Sequence, residues 1–238
     1  MIYPEYILYP LFIITVILTL YALIKVNSPF SKYSKVPTAA ALSAAEVAKD
    51  MLAAAGIEDV GVTVTQGHLT DHYDPKTKTL RLSGGVYSST SAAGVGVATH
   101  EAGHAIQHAV GYFPLKLRQA IVPAAGFASR FAFIAITLGV LLSAISAGSG
   151  YGYYLLLFGT ALFSVITLFQ LITLPCEFNA SGRALEYMRS TGDYNSAEIS
   201  ASKRVLSAAA LTYVAAALTS AIQLLRLLLI LTGGRRRR

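Results

Sequence analysis

FAFIAITLGVLLSAISAGSGYGYYLLLFGTALFSVITLFQLITLPC, from Phe131 to Cys176, is a run of 46 residues without a charge. A helix crosses a bilayer with about 20 apolar residues. The run therefore predicts two membrane spans, Ile121–Ala147 and Tyr153–Pro175, joined by a turn at Gly148–Gly152 (GSGYG). Two more charge-free runs flank it, Tyr6–Ile24 with 19 residues and Val205–Leu225 with 21. The first reads as a retained signal anchor over Tyr3–Ile24, because it lacks the basic start and short apolar core of a cleaved signal. The last extends to Leu231 with one interruption, Arg226. The expected fold is a mainly α membrane protein with about four transmembrane helices and a small α+β part at the membrane surface.

Composition agrees. Charged residues make up 13% of the 238, against about 25% in a soluble domain. Hydrophobic residues make up 54%. This excludes disorder, a coiled coil and a collagen-like chain, and argues against an ordinary soluble enzyme. The net charge is +7, but Arg235–Arg238 supply four of those charges. Aromatic and basic residues do not interleave as on a nucleic-acid surface, so the excess reads as charge beside a lipid bilayer and no nucleic-acid partner is expected. The single cysteine, Cys176, allows no intrachain disulfide and no multi-cysteine metal site.

The charges that remain are concentrated, and they divide the chain. Residues 1–25 form the anchor, 26–120 the main polar region, 121–175 the hairpin, 176–204 a polar helical segment and 205–238 the last hydrophobic segment with its Arg tail. Within the polar region, Thr38–Gly56 is Ala-rich and amphipathic, with Ser43 and Glu46 in capping-box spacing, and predicts a helix that stops at Gly56. Val60–Thr65 and Lys78–Ser83 alternate apolar and polar residues and predict strands. His72–Pro75 between them predicts a turn, and Gly84-Gly85 a break. A helix follows from about Ser91 to Val110, ending at Gly111.

That helix carries VATHEAGHAIQHAVG (residues 97–111). His100 and His104 stand four apart, on one helix face. Two neutral imidazoles so placed can bind one zinc ion, and Glu101 beside them can take a proton from a water held at the metal. The neighbours Ala98, Ala102, Gly103 and Ala105 are small, so the helix can pack closely around its polar triplet. The bland alternative is a solvated helix face, which the apolar flanks oppose. Catalytic zinc usually takes a third protein ligand and leaves one position open. His108 lies one turn further on, where a straight helix cannot wrap it around the same ion, so packing or support of a ligand is its expected role. A histidine six residues after His104 would complete another common pattern, but Val110 stands there. Glu177, in LPCEFNASGRAL (residues 174–185), is a candidate third ligand. It is equally a glutamate favoured at a helix N-terminus by the dipole. His68 and His72, and more weakly Tyr73 and Tyr87, are candidates to steady an oxyanion, although Asp71, His72 and Asp74 also suit a plain turn.

HEAGHAIQHA, LTDHYDPKTKTLRLS (residues 69–83) and EFNASGRAL together resemble the YugP-like membrane zinc metallopeptidases, and the order of hydrophobic segments extends the likeness over the whole chain. The family is similar, more distantly, to the HtpX-type gluzincins, in which a Glu-x-x-x-Asp pattern completes the zinc site. The resemblance implies one zinc ion per chain, held by His100, His104 and Glu177, with Glu101 as base. The position four after Glu177 is Ser181, not Asp, so Ser181 or Asn179 would have to orient a ligand histidine more weakly. It also implies that Lys78–Ser83 is an edge strand on which an extended peptide docks.

The hairpin would bring His100 and Glu177 to one side of the membrane. Basic residues crowd that side, and the opposite loop has no charge, so the positive-inside rule places it in the cytoplasm. Arg235–Arg238 fit that rule only if the last segment does not span. The expected function is an integral membrane zinc endopeptidase of a prokaryotic-type cell membrane, cutting membrane-proximal or unfolded protein segments. The alternatives are a catalytically inactive scaffold with a structural zinc, which the intact Glu101 opposes, and a transporter, which the scarcity of ionisable residues in the spans opposes. Oligomeric state and cleavage preference leave no mark in the sequence.

Overall fold

The computed structural model describes residues 4–145 and 150–235. The elements are α1 (Pro4–Tyr33), α2 (Ala44–Ala54), β1 (Gly61–Thr65), β2 (His72–Asp74), β3 (Thr79–Ser83), α3 (Gly84–Tyr87), α4 (Ala92–Ala109), α5 (Phe113–Ile145), α6 (Tyr151–Ser190) and α7 (Ser196–Arg235). Tyr3, part of the expected Gly148–Gly152 turn and Arg236–Arg238 lie outside the described residues. The chain forms two compact units.

One unit comprises Ala22–Lys116 and Leu174–Thr212. Its helix α2 starts at Ala44, later than Thr38, because Ser43 closes a capping box. The Ser43 N–H donates to Glu46 Oε2 at 2.8 Å and the Glu46 N–H to Ser43 Oγ at 3.3 Å. Ser43 itself is extended, so the helix cannot continue backward through it. Gly56 ends the helix with φ +71°, a left-handed conformation that a side chain would strain. Val47, Ala48, Met51 and Leu52 are buried along one face. They pack with α4, whose Val95, Ala98, Ala102 and Ala105 join the same core as Leu80 and Leu82 of β3. Ser91 caps α4 by accepting the Gly94 N–H, and Gly111, at φ +66°, follows its C-cap.

The sheet corrects two expectations. The residues His72–Asp74 are a strand, and the turn falls at 75–78, where Asp74 accepts the Lys76 N–H and the Thr77 hydroxyl. The Asp and Pro that mark the turn start it rather than fill it. The strand order is β1-β3-β2, with β1 parallel and β2 antiparallel to β3. The segment expected as an edge, Lys78–Ser83, is thus the middle strand, paired on both sides, and cannot receive another chain. Its buried Leu80 and Leu82 already filled the alternate positions of a strand covered by a helix. The strand ends at Ser83, just before Gly84-Gly85 as expected, and the two glycines open the one-turn helix α3.

The other unit comprises residues up to Tyr21, Leu117–Thr173 and the chain from Tyr213. Among the described residues three helices are long and apolar enough to cross a membrane: Phe113–Ile145, Tyr151–Ser190 and Ser196–Gly233. In α1 the described apolar stretch is Tyr9–Tyr21. Glycines let α5 and α6 approach closely. A Cβ on Gly139 would lie 2.6 Å from the Leu156 nitrogen, and one on Gly159 would lie 2.8 Å from that of Ile136. Small residues at such seams are how helices pack where apolar burial gives no drive. α1 meets α7 antiparallel. Gln223 reaches Thr15 at 3.5 Å, and the Arg226 guanidinium stands over the Phe12 ring at 5.3 Å.

Two boundaries also differ from expectation. The third predicted span and the polar segment after it are one helix, α6, which runs through Pro175. Glu177 is therefore inside a helix and not at a helix N-terminus, which removes the dipole explanation for it. α7 begins at Ser196, inside the polar segment expected to run to Arg204, and carries the last hydrophobic segment on without a helix boundary between them.

Candidate metal centre

α4 is made mostly of small residues on the sides that it buries, and that sets how near its neighbours come. A Cβ placed on Gly103 would lie 2.7 Å from the carbonyl oxygen of Ala180 and 3.1 Å from its Cα. The backbones of α4 and α6 thus touch at this point. His100 and His104 flank Gly103 on one helix, and Glu177 lies one turn before Ala180 on the other. Gly103→Ala is expected to push the helices apart, cost about 1–3 kcal/mol of stability and weaken zinc uptake. Thermal unfolding and metal analysis of the detergent-solubilised variant check both effects.

The close approach brings three ligand atoms together. His100 Nε2 lies 3.3 Å from Glu177 Oε2, and His104 Nε2 lies 3.6 Å from Glu177 Oε1. The two imidazoles stand edge to face, with centroids 4.8 Å apart. The ligand atoms of all three residues fall within 4.8 Å of one another. Tetrahedral zinc ligands about 2.1 Å from the ion sit about 3.4 Å from each other, so the spacing suits that ion. Two imidazoles and a carboxylate are also a catalytic zinc donor set. Among the described residues no fourth His, Cys, Asp or Glu joins the group.

The far ring nitrogens are occupied by other groups. His100 Nδ1 is 3.0 Å from Ser181 Oγ, and His104 Nδ1 is 3.0 Å from Gln107 Oε1. Each imidazole is held from behind with Nε2 turned toward Glu177. Ser181 is where the resemblance placed an orienting group. Asn179 instead reaches His104 through Gln107, whose Nε2 donates to Asn179 Oδ1 at 2.9 Å and to the Cys176 carbonyl at 2.8 Å. Gln107 escaped the sequence reading. Its one signal was an amide on a face otherwise kept for Ala, Ile and His, three residues after His104.

Glu101 sits at the edge of the cluster. Its Oε2 accepts the backbone N–H of Tyr73 at 3.0 Å, so β2 fixes one carboxylate oxygen. Burial holds its pKa above the ordinary carboxylate range, although His100 and His104 work against the rise. For His104, burial alone would lower the pKa, but the carboxylates of Glu177 and Glu101 outweigh it and raise the value. Zinc must displace that proton. The affinity of the metal-free protein for zinc is therefore expected to fall as pH drops, with the fall beginning above the usual histidine value of about 6.5. Chelator competition across that range checks this, and a plateau already reached below it would contradict the coupling.

The remaining sequence candidates have other partners. The Tyr73 hydroxyl is bonded to His108 Nδ1 at 2.9 Å, which ties β2 to the end of α4. His72 is exposed, with Nδ1 2.8 Å from the Thr70 carbonyl. His68 is exposed and stacks edge-on against Phe30. The structure brings neither into the metal-ligand group.

A buried His-His-Glu cluster with a carboxylate beside it matches what similar chains are described as. The family described as "Putative neutral zinc metallopeptidase" matches residues 8–232. A Bacillus subtilis (strain 168) protein described as "Putative membrane protease YugP" is 45% identical over 218 residues, 92% of this chain and 93% of that protein. No solved structure matches the chain. With nearly its whole length matched and three membrane-capable helices among the described residues, the chain is a membrane protein that belongs to this zinc metallopeptidase family.

Proposed function

We propose that the protein is an integral membrane zinc endopeptidase and that His100, His104 and Glu177 hold its metal. The observation that carries this is the convergence of three ligand atoms from two helices, with Glu101 fixed beside them. Zinc bound there supplies a Lewis acid that polarises the scissile carbonyl and makes the attacking water more acidic. Glu101 takes the proton from that water and passes it to the leaving amine. The Tyr73 N–H keeps the carboxylate from turning away, and burial favours its proton uptake. Ser181 and Gln107 keep each imidazole's Nε2 directed at the metal position.

The substrate is an extended segment. β2 pairs with β3 on one side only, and its Tyr73 N–H points away from β3 to Glu101. A peptide added to that outer edge would run past the carboxylate, so β2 takes the docking role first given to Lys78–Ser83. Glu177 shares helix α6 with an apolar stretch, which favours membrane-proximal or unfolded substrates. The antiparallel contacts of α1 with α7 support α1 as a fourth span. The basic residues of the His100–Glu177 unit favour the cytoplasm as its side.

Zinc content and cleavage of casein and of a membrane-protein substrate test this reading. We expect about one zinc per chain, loss of cleavage on chelation and its return when zinc is added. Purified protein with no zinc, or cleavage indifferent to chelation, would sink it.

A further inference from the structure

We propose that Arg183 fixes which nitrogen of His104 is left to bind the metal, acting through a chain of hydrogen bonds of one polarity. The inference rests on the metal site proposed above. Four links make the chain. Arg183 Nε donates to Asn179 Oδ1 at 2.9 Å. Gln107 Nε2 donates to the same Oδ1 at 2.9 Å and to the Cys176 carbonyl at 2.8 Å. Gln107 Oε1 faces His104 Nδ1 at 3.0 Å. Gln107 has no exposed surface, so water does not satisfy it instead.

The chemistry of each group dictates the next. A guanidinium has donors only. Asn179 must therefore turn its oxygen, and not its amide nitrogen, toward Arg183. That oxygen can only accept, so Gln107 must present its NH2. With the NH2 so engaged, Gln107 can offer His104 only its carbonyl oxygen. His104 must then donate from Nδ1, which leaves the Nε2 lone pair for the ion. A flipped Asn179 would lose its bond to Arg183 and turn its NH2 toward Gln107; a Gln107 that turned to meet it would present its own NH2 to His104 Nδ1 and leave the proton on Nε2, where a metal cannot bind. The Cys176 carbonyl supports the same sense, but with Asn179 free to flip it would face the buried amide alone. An unsatisfied buried donor or acceptor costs about 1–3 kcal/mol, enough for the minor orientation to matter once Arg183 no longer forbids it.

The test uses full-length protein in detergent. It reads the zinc dissociation constant by chelator competition and the protonation of His104 Nδ1 by NMR of 15N-histidine-labelled protein. Gln at position 183 can present either a donor or an acceptor. R183Q is expected to weaken zinc binding by about tenfold or more, as loss of a partner behind a ligand typically does, and to diminish the Nδ1–H signal of His104. R183K keeps a donor-only group without the rigid fork, and its loss is expected to be smaller. The double variant R183Q/N179D restores binding toward the wild-type value, because a carboxylate at 179 accepts in any orientation and no longer needs Arg183 to set it. R183Q that binds zinc as wild type and keeps its Nδ1–H overturns the proposal. So does a weakened R183Q that N179D fails to rescue, since Arg183 would then serve only to pack. Wild-type protein that takes up no zinc would instead sink the metal-site reading, while the Nδ1–H signal of the zinc-free protein, read at a pH where the His104 ring is neutral, still decides this one.

Discussion

Glu101→Gln is expected to lower proteolysis by about 10³-fold, in the middle of the range that general base catalysis supplies, while zinc content stays near that of the wild type. The amide keeps an oxygen able to accept the Tyr73 N–H, so β2 and α4 remain joined. It also keeps the volume of the side chain. What it loses is the capacity to take a proton from water and return it to an amine. Glu101 is outside the ligand group, so metal uptake has no reason to fall. Turnover of a casein or membrane-protein substrate is measured beside metal content on the same preparation. Undiminished turnover would end the assignment of Glu101 as base.

Glu177→Ala is expected to fail in a different way. Removing a partner behind a metal ligand costs about 10- to 100-fold in affinity, and removing the ligand itself should cost more than that. The variant should purify with little zinc and show only background cleavage, and added zinc should restore little of either. Its fold is expected to persist, because Ala is a good helix former inside α6. Far-UV circular dichroism checks that point. The pair of variants separates holding the metal from using it: one keeps zinc and loses turnover, the other loses both. A Glu177→Ala protein with a full complement of zinc would show that another side chain is the third ligand.

The sequence shows some of this and hides the rest, for physical reasons. The apolar runs, the helix that carries His100 and His104 and the Ser43–Glu46 cap are local patterns, set by residues within one or two turns of each other. The structure returns the last two nearly unchanged, and among the described residues it gives three of the four expected spans. β2 has three residues, too few for an alternation to register, and it exists because β3 supplies its partner. The central place of β3 follows from the same pairing. Gln107 depends on residues 69 and 72 positions away, and its place three residues after His104 is the one local sign of its role. Pro175 suggested a boundary because proline breaks the hydrogen-bond pattern of a helix, yet α6 continues through it and Glu177 lies within the helix.

The three metal-site residues lie in a unit that is discontinuous in the chain, with Leu117–Thr173 inserted between its two parts. Ribosomes deliver the histidines first and the glutamate only after both arms of the insert have been made. A nascent chain stalled within the insert holds two of three ligands and the base, but has no third group to close the coordination. On the proposed assignment, the metal site can close only once Leu117–Thr173 has been made.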